Sequence, residues 1–294
     1  MKSYILWLGN LLLGQRYTDY YFLKMNLIND GYIKRRQFKE LIQKLIDLHN
    51  RQKLNEIIIR NGDVIIVTEP YNIQYYYHPE IDIDNSGENF DVMFQSTKRD
   101  KYLLDYIVSK TNHQSTFIDV GANLGHFSLN IAKRTHCTCY AFEPLPINIR
   151  NLKANVELNA LKNIVIVPVA LGENKGSSYF STNLQTQANR LVKVRDSSSI
   201  EVQCTTLDDF VYENKIGRVD FIKVDIQGAE FLFLKGAEKT INQFKPIIVL
   251  ESDDLSLQFE YKRKEMFQWL YDRSYVLDNS INNNEDFIFN YKIE

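Results

Sequence analysis

The segment Phe117-Ile118-Asp119-Val120-Gly121-Ala122-Asn123-Leu124-Gly125-His126-Phe127-Ser128 constrains the fold more than any other. A hydrophobic strand runs into a tight Gly-x-x-x-Gly turn and directly into a helix, a geometry that brings backbone N–H groups near a ligand at a helix N-terminus. Dinucleotide sites want Gly-x-Gly-x-x-Gly so that a pyrophosphate can approach closely. Here Asn123 stands where the second glycine would be, and Asp119 lies just before the turn, an acid better suited to an ammonium-bearing ligand. Alone, such a turn serves equally well as a structural βα connection.

Around this segment the chain alternates strands with helices, which argues for parallel βαβ units and an α/β fold. Strands are expected at 116–120, 138–142, 164–169, 219–224 and 246–251, with helices at 101–110, 124–134, 147–158, 229–242 and 261–272. An insert over 172–205 carries two further strands, around Tyr179-Phe180 and Ile200 to Cys204, and the tail adds an antiparallel pair at 275–277 and 287–289. Ahead of this region, Ile57 to Ile59 and Val64 to Val67 flank Asn61-Gly62, the strongest short hairpin signal. Phe38, Leu41, Ile42, Leu45 and Ile46 make one stripe of an amphipathic helix. Residues 71–91, with Tyr75, Tyr76, Tyr77 and His78, read as a long loop whose tyrosines could stack on sugar rings. The apolar run Tyr4 to Leu13 lacks a cleavage site and is too short to span a bilayer; a docked helix is expected, with weak membrane-surface contact as the rival. The expected division is an accessory, substrate-selecting region at 1–95 and a catalytic domain at 96–294.

Composition narrows the partners. With 35 basic against 37 acidic residues the 294-residue chain carries a net charge of -2, so no overall positive field favours nucleic acid. Three cysteines, Cys137, Cys139 and Cys204, make neither a disulfide framework nor a zinc spacing, which fits a reducing, cytoplasmic setting. A homodimer is slightly favoured over a monomer.

In open α/β sheets the ligand crevice lies beyond the carboxyl ends of the strands. The second strand ends in Glu143-Pro144, and an acid at that place hydrogen-bonds ribose hydroxyls in nucleotide-binding folds. The third ends at Ala170-Leu171-Gly172, where backbone could border an adenine ring or simply be buried strand. The fourth runs Lys223-Val224-Asp225-Ile226-Gln227-Gly228-Ala229-Glu230. Lys223 inside an apolar strand either pairs with a nearby acid or works on substrate. His126 is a rival base to Asp225 and Glu230, or merely flanks the cofactor. Asp225, Glu230, Glu251, Asp253 and Asp254 could surround a hard cation, but no metal is assigned; Asn189 and Arg190 could reach over the crevice.

Taken in order, Asp119 to Gly125, Phe142-Glu143-Pro144 with Asn148, Asn155 and Asn159, Ala170-Leu171-Gly172, Leu207-Asp208-Asp209, Lys223 to Glu230, Gly236-Ala237 and Glu251 resemble the FkbM-type S-adenosylmethionine-dependent methyltransferases. The resemblance implies a class I, Rossmann-like, mostly parallel seven-stranded sheet with helices on both faces, preceded by the N-terminal helical and hairpin region. It also implies S-adenosylmethionine as cofactor and methylation of a hydroxyl on a sugar, glycan or natural product. Cofactor contacts are then expected from Asp119, Gly121, Ala122, Asn123, Gly125, His126, Phe127, Glu143, Pro144, Asn148, Ala170, Leu171 and Asp225, and catalysis from Asp225, Glu230 and Lys223. Gln227 departs from the family's usual Glu. An NAD oxidoreductase is disfavoured by the missing glycine; a methyltransferase-fold binding module without turnover is the other class of reading.

Overall fold

The computed structural model describes residues 3–6, 54–60, 63–68, 71–77, 98–181, 191–192, 199–252, 261–279 and 286–292. They divide into two compact units, one of Met1–Thr97 with Glu157–Ala160, the other of Lys98–Val156 with Leu161–Glu294.

The first unit is a four-stranded antiparallel sheet in sequence order: β1 (Ser3–Leu6), β2 (Leu54–Arg60), β3 (Asp63–Thr68) and β4 (Ile73–Tyr77). The hairpin expected at Asn61-Gly62 is present, closed by the pair Arg60 and Asp63. Two expectations are corrected. The N-terminal apolar run begins as a strand, not a helix, because Ser3–Leu6 pairs with residues 57–60 and completes a backbone edge that β2 would otherwise leave open. A short apolar run does not distinguish the two states by periodicity. The tyrosine-rich segment also begins as a strand: Ile73 and Tyr75 are each 1% exposed while Gln74 and Tyr76 alternate with them, so Tyr75 is core and not a sugar platform. On the outer edge of β4, Gln74 N–H donates to Asn159 Oδ1 at 3.0 Å and Asn159 Nδ2 donates to Gln74 O at 2.7 Å. The Asn159 side-chain amide thus stands in for a fifth strand. The stripe from Phe38 to Ile46, His78, Asn189, Arg190, Asp253 and Asp254 lie outside the described residues.

In the second unit the elements follow as α1 (Lys98–Lys110), β5 (Thr116–Val120), α2 (His126–Thr135), β6 (Thr138–Phe142), α3 (Pro146–Leu158), β7 (Ile164–Val167), β8 (Ala170–Leu171), β9 (Gly176–Ser181), β10 (Leu191–Val192), β11 (Ser199–Thr205), α4 (Leu207–Glu213), β12 (Phe221–Val224), α5 (Glu230–Gly236), α6 (Glu238–Phe244), β13 (Ile247–Glu251), α7 (Arg263–Tyr271), β14 (Tyr275–Asp278) and β15 (Asp286–Tyr291). Seven strands form one sheet in the order β14-β15-β13-β12-β5-β6-β7. The five from β13 to β7 are parallel, and β15 and β14 close the other side antiparallel, as expected of the tail.

Alternation sorts the side chains. Phe117, Phe221, Val249 and Ile288 face Leu103, Leu104 and Ile107 of α1 and Ile131 and Ala132 of α2. Ile118, Val120, Ile222, Val224, Ile248 and Leu250 pack with Val211, Phe233, Leu234, Ile241, Met266 and Leu270 of α4 to α7. Helices therefore cover both faces, as parallel strands require. Thr206 caps α4 by accepting from Asp209 N–H at 2.9 Å. Asp208 accepts from the backbone N–H groups of Lys239 and Thr240 and from the Thr240 hydroxyl, tying α4 to the start of α6.

The third parallel strand stops at Val167, short of the Val169 expected. Pro168 cannot donate to a ladder, and Ala170–Leu171 instead pairs with Cys204 and Thr205 in a small second sheet, β10-β9-β11-β8. The helix expected over 229–242 is two helices, broken at Gly236-Ala237. A Cβ on Gly236 would lie 1.9 Å from the Gly172 carbonyl oxygen, so the break is where backbone meets backbone. No helix among the described residues is long and apolar enough to cross a membrane.

Candidate functional site

The carboxyl ends of β5, β6, β12 and β13 bring Gly121, Glu143, Asp225 and Glu251 together along one rim of the sheet. Gly121 makes that rim tight. Its φ is +84°, and a Cβ there would sit 2.0 Å from the Asp225 carbonyl oxygen, so the turn after β5 packs directly on the backbone that follows β12. The N–H groups of Gly121 and Ala122 both donate to Phe142 O, at 3.0 and 2.9 Å, and Gly125 N–H to Ala122 O at 2.8 Å. The first two anchor the turn to β6 and the third closes the turn on itself, so these three donors do not point at a ligand, which corrects the cradle read from the sequence.

Asp119 lies beneath the turn, 1% exposed. Its Oδ2 accepts from Ser128 N–H at 3.1 Å and from the Ser128 hydroxyl at 2.5 Å, while its buried Oδ1 has no hydrogen-bond partner. Burial pushes its pKa up, opposed by the charge of Lys223 and the Ser128 bonds. Ser128 was not singled out in the sequence; its position in the first turn of α2, nine residues on, was the available signal.

Glu143, also buried, collects the next contacts. Its Oε2 accepts from Asn123 N–H at 2.9 Å, and its Oε1 from Leu145 N–H at 2.9 Å and Asn148 Nδ2 at 3.3 Å. Burial raises its pKa to about 7 against those bonds. Asn155 supports the same turn, its Nδ2 donating to Leu124 O at 3.0 Å. Pro144 is half-buried beside Glu143, whereas Ala170 and Leu171 are packed into hydrophobic clusters. The half-buried His126 ring meets the edge of Phe127 at 5.4 Å.

On the next strand, Lys223 stands opposite Asp119 in register, with its side chain 4% exposed. Its Nζ is 3.1 Å from Asp225 Oδ2 and 4.4 Å from the centre of the Phe127 ring. Of the two sequence readings of this lysine, the pairing with an acid is present. Asp225 is 29% exposed and also accepts from Gln227 Nε2 at 3.1 Å. Burial would raise its pKa, but Lys223 together with hydrogen bonds from Glu251, Lys223 and Gln227 holds the carboxyl well below its usual range. Gln227, the departure from the family pattern, thus has a place as a neutral donor to Asp225, where a carboxylate would repel it.

Glu230 differs from its expected role. It is 2% exposed, and its Oε1 accepts from the backbone N–H groups of Ile226 and Gly228 at 3.3 and 3.0 Å. Burial raises its pKa to about 7, a value suited to a general base, but the geometry gives this carboxylate to its own loop. Tyr261, unremarked in the sequence except as a helix start, completes the clamp. Its hydroxyl accepts from Phe231 N–H at 3.1 Å and donates to Gly228 O. Gln227 and Gly228 are both at positive φ, so this loop needs such fixing. Tyr261→Phe should cost about 1–3 kcal/mol by leaving two backbone groups unpaired, readable as a lower urea midpoint with an unchanged m-value.

Among the described residues no group of three or more His, Cys, Asp or Glu side chains is arranged to hold a metal ion.

A family profile described as the methyltransferase FkbM domain matches residues 119–277. Among curated proteins, the chain is 25% identical over 155 residues to "Methyltransferase 1" of Beauveria bassiana, covering 45% of this chain and 62% of the relative. It is 24% identical over 143 residues to the hexuronic acid methyltransferase AglP of Haloferax volcanii, covering 49% of this chain and 58% of that one. The chain thus spans somewhat less than two thirds of the length of these two relatives. Among solved structures, the methyltransferase FkbM of Methylobacillus flagellatus superposes with a TM-score of 0.42 at 18% identity, over 61% of this chain and 44% of the other.

Proposed function

The chain belongs to the FkbM methyltransferase family, and from that premise we propose that it methylates a hydroxyl oxygen of a sugar, glycan or glycosylated natural product. Its cofactor is S-adenosylmethionine, which supplies an electrophilic methyl group on a sulfonium. The residues at the rim suit that group. The buried Asp119 Oδ1 lacks a donor, as an acid awaiting a cation would, and Glu143 occupies the strand-end position where acids take ribose hydroxyls. Asn123, Asn148 and the Gly121–Gly125 turn stand beside Glu143 or hold it in place.

The observation that carries the reading is Asp225, a carboxylate kept ionised by Lys223 and Gln227 yet partly exposed at the strand-end rim. Held so acidic, it is a weak base. Its part is to accept the hydrogen bond of the acceptor hydroxyl, aim the oxygen, and take the proton late, once bond formation to carbon has made that proton acidic. Its partial exposure then lets the proton pass to water. Orientation of this kind contributes roughly 7–11 kcal/mol to displacement reactions. A sugar-acting relative supports a carbohydrate acceptor over other hydroxyl compounds.

Incubation with methyl-labelled cofactor and a panel of sugars, nucleotide sugars and glycans tests this. Label is expected on a hydroxyl oxygen, with Asp225→Asn lowering turnover about 10²- to 10⁴-fold at little change in cofactor affinity beyond tenfold. Label on nitrogen or carbon alone would overturn the hydroxyl assignment.

A further inference from the structure

Lys223 is buried where a parallel strand would ordinarily carry an apolar residue, and its surroundings are acidic. Asp119 lies opposite it on β5, Asp225 bonds it at 3.1 Å, and Glu251 lies on the same face of β13, two residues beyond its register partner Val249. Asp225 and Asp119 both act on this ammonium, Asp225 through the ion pair and Asp119 from the register position opposite. Next along that face, Asp286 of β15, 3% exposed, stands opposite Glu251. Lys223 therefore offsets negative charge gathered at the strand ends. We propose that Lys223 sets how strongly the site prefers the sulfonium cofactor over its uncharged thioether product, by fixing how much of that negative charge the cofactor meets; this rests on the S-adenosylmethionine reading above.

The two ligands differ by a methyl group and one fixed positive charge that no proton transfer can remove. Negative charge at the strand ends attracts the sulfonium and is indifferent to the thioether, so it favours loading with S-adenosylmethionine and release of S-adenosylhomocysteine. Removing the ammonium strengthens this bias, and removing a carboxylate weakens it. Loss of the Lys223–Asp225 ion pair as a mere structural contact has no such sign, because either substitution breaks the same pair.

The test is the ratio of dissociation constants for S-adenosylhomocysteine and S-adenosylmethionine, measured by calorimetry at pH 8.5 on the full chain. Lys223→Met should raise the preference for S-adenosylmethionine about tenfold and Asp225→Asn should lower it about tenfold, the effect of one charge at roughly 10 Å in a partly solvated site. If Lys223→Met does not fold, Asp225→Asn carries the test, with a lowered ratio expected. A ratio within twofold of the parent in every variant, or one that moves the same way in Lys223→Met and Asp225→Asn, overturns the proposal while leaving the cofactor reading intact. Failure of the unaltered protein to bind either ligand overturns both.

Discussion

Gly121→Ala is expected to destabilise the protein by about 3 kcal/mol, from left-handed strain at a non-glycine residue plus overpacking. The added methyl would lie 2.0 Å from the Asp225 carbonyl oxygen and 3.0 Å from its carbonyl carbon, and these two nearest atoms are backbone, so neither can swing aside as a flexible side chain would. The turn after β5 or the loop after β12 must move, and either shift displaces Asp225 from Gln227 and Lys223. Cofactor affinity should therefore fall together with stability. Gly217→Ala is the matched control: nothing lies within 4 Å of the added atom, and its unfolding free energy from urea titration should stay within about 0.5 kcal/mol of the parent. Equal midpoints for the two variants would mean that the close approach at Gly121 does not exist in solution.

The second large effect is expected at Glu143. Its carboxylate holds Asn123 and Leu145 N–H and Asn148, so Glu143→Ala removes the acid proposed to take the ribose hydroxyls and frees the turn beside it. Cofactor affinity should drop about 10²-fold, the scale of one charge-assisted contact of 1.5–3 kcal/mol. A pH dependence accompanies it. With its pKa near 7, Glu143 is mostly protonated at pH 6 and ionised at pH 8. Hydroxyl donors prefer the ionised form, so affinity should rise about tenfold across that interval and then level off. Glu143→Gln should bind weakly and without the slope. Stability runs the other way. A carboxyl whose folded pKa exceeds its unfolded value binds its proton more tightly in the native state, so Glu143 and Glu230 together lower stability as pH rises from about 4.5 to about 7. Asp225, with a depressed pKa, contributes stability that is lost only on acidification below its unfolded value of 3.8.

Much of the sheet was legible because parallel strands buried on both faces read as apolar runs, and their helices carry a different period. The hairpin at Asn61-Gly62 and the antiparallel tail were legible for equally local reasons. Some strands were not, the two-residue Leu191–Val192 among them. Ser3–Leu6 takes its state from pairing with β2, a partner some fifty residues away, and Ile73–Tyr77 hides its alternation because tyrosine suits both faces of a strand. At the rim, the sequence located the strand-end acids but not their partners. Ser128 beneath Asp119 and Tyr261 behind Glu230 act through contacts across the fold that spacing does not encode. The same limit applied to Glu230, which has the residue type of a base and the geometry of a loop clamp. Lys223 was the reverse case: a lysine among Phe221, Ile222 and Val224 stands out, and its pairing with Asp225 two residues on follows from strand alternation.

Calorimetric titration of the purified chain with S-adenosylmethionine, S-adenosylhomocysteine and NAD tests the central claim most directly. One-to-one binding of both sulfur ligands, no binding of NAD, and loss of the signal in Glu143→Ala are the expected results. Binding of NAD with no response to either sulfur ligand would contradict the methyltransferase reading of this site.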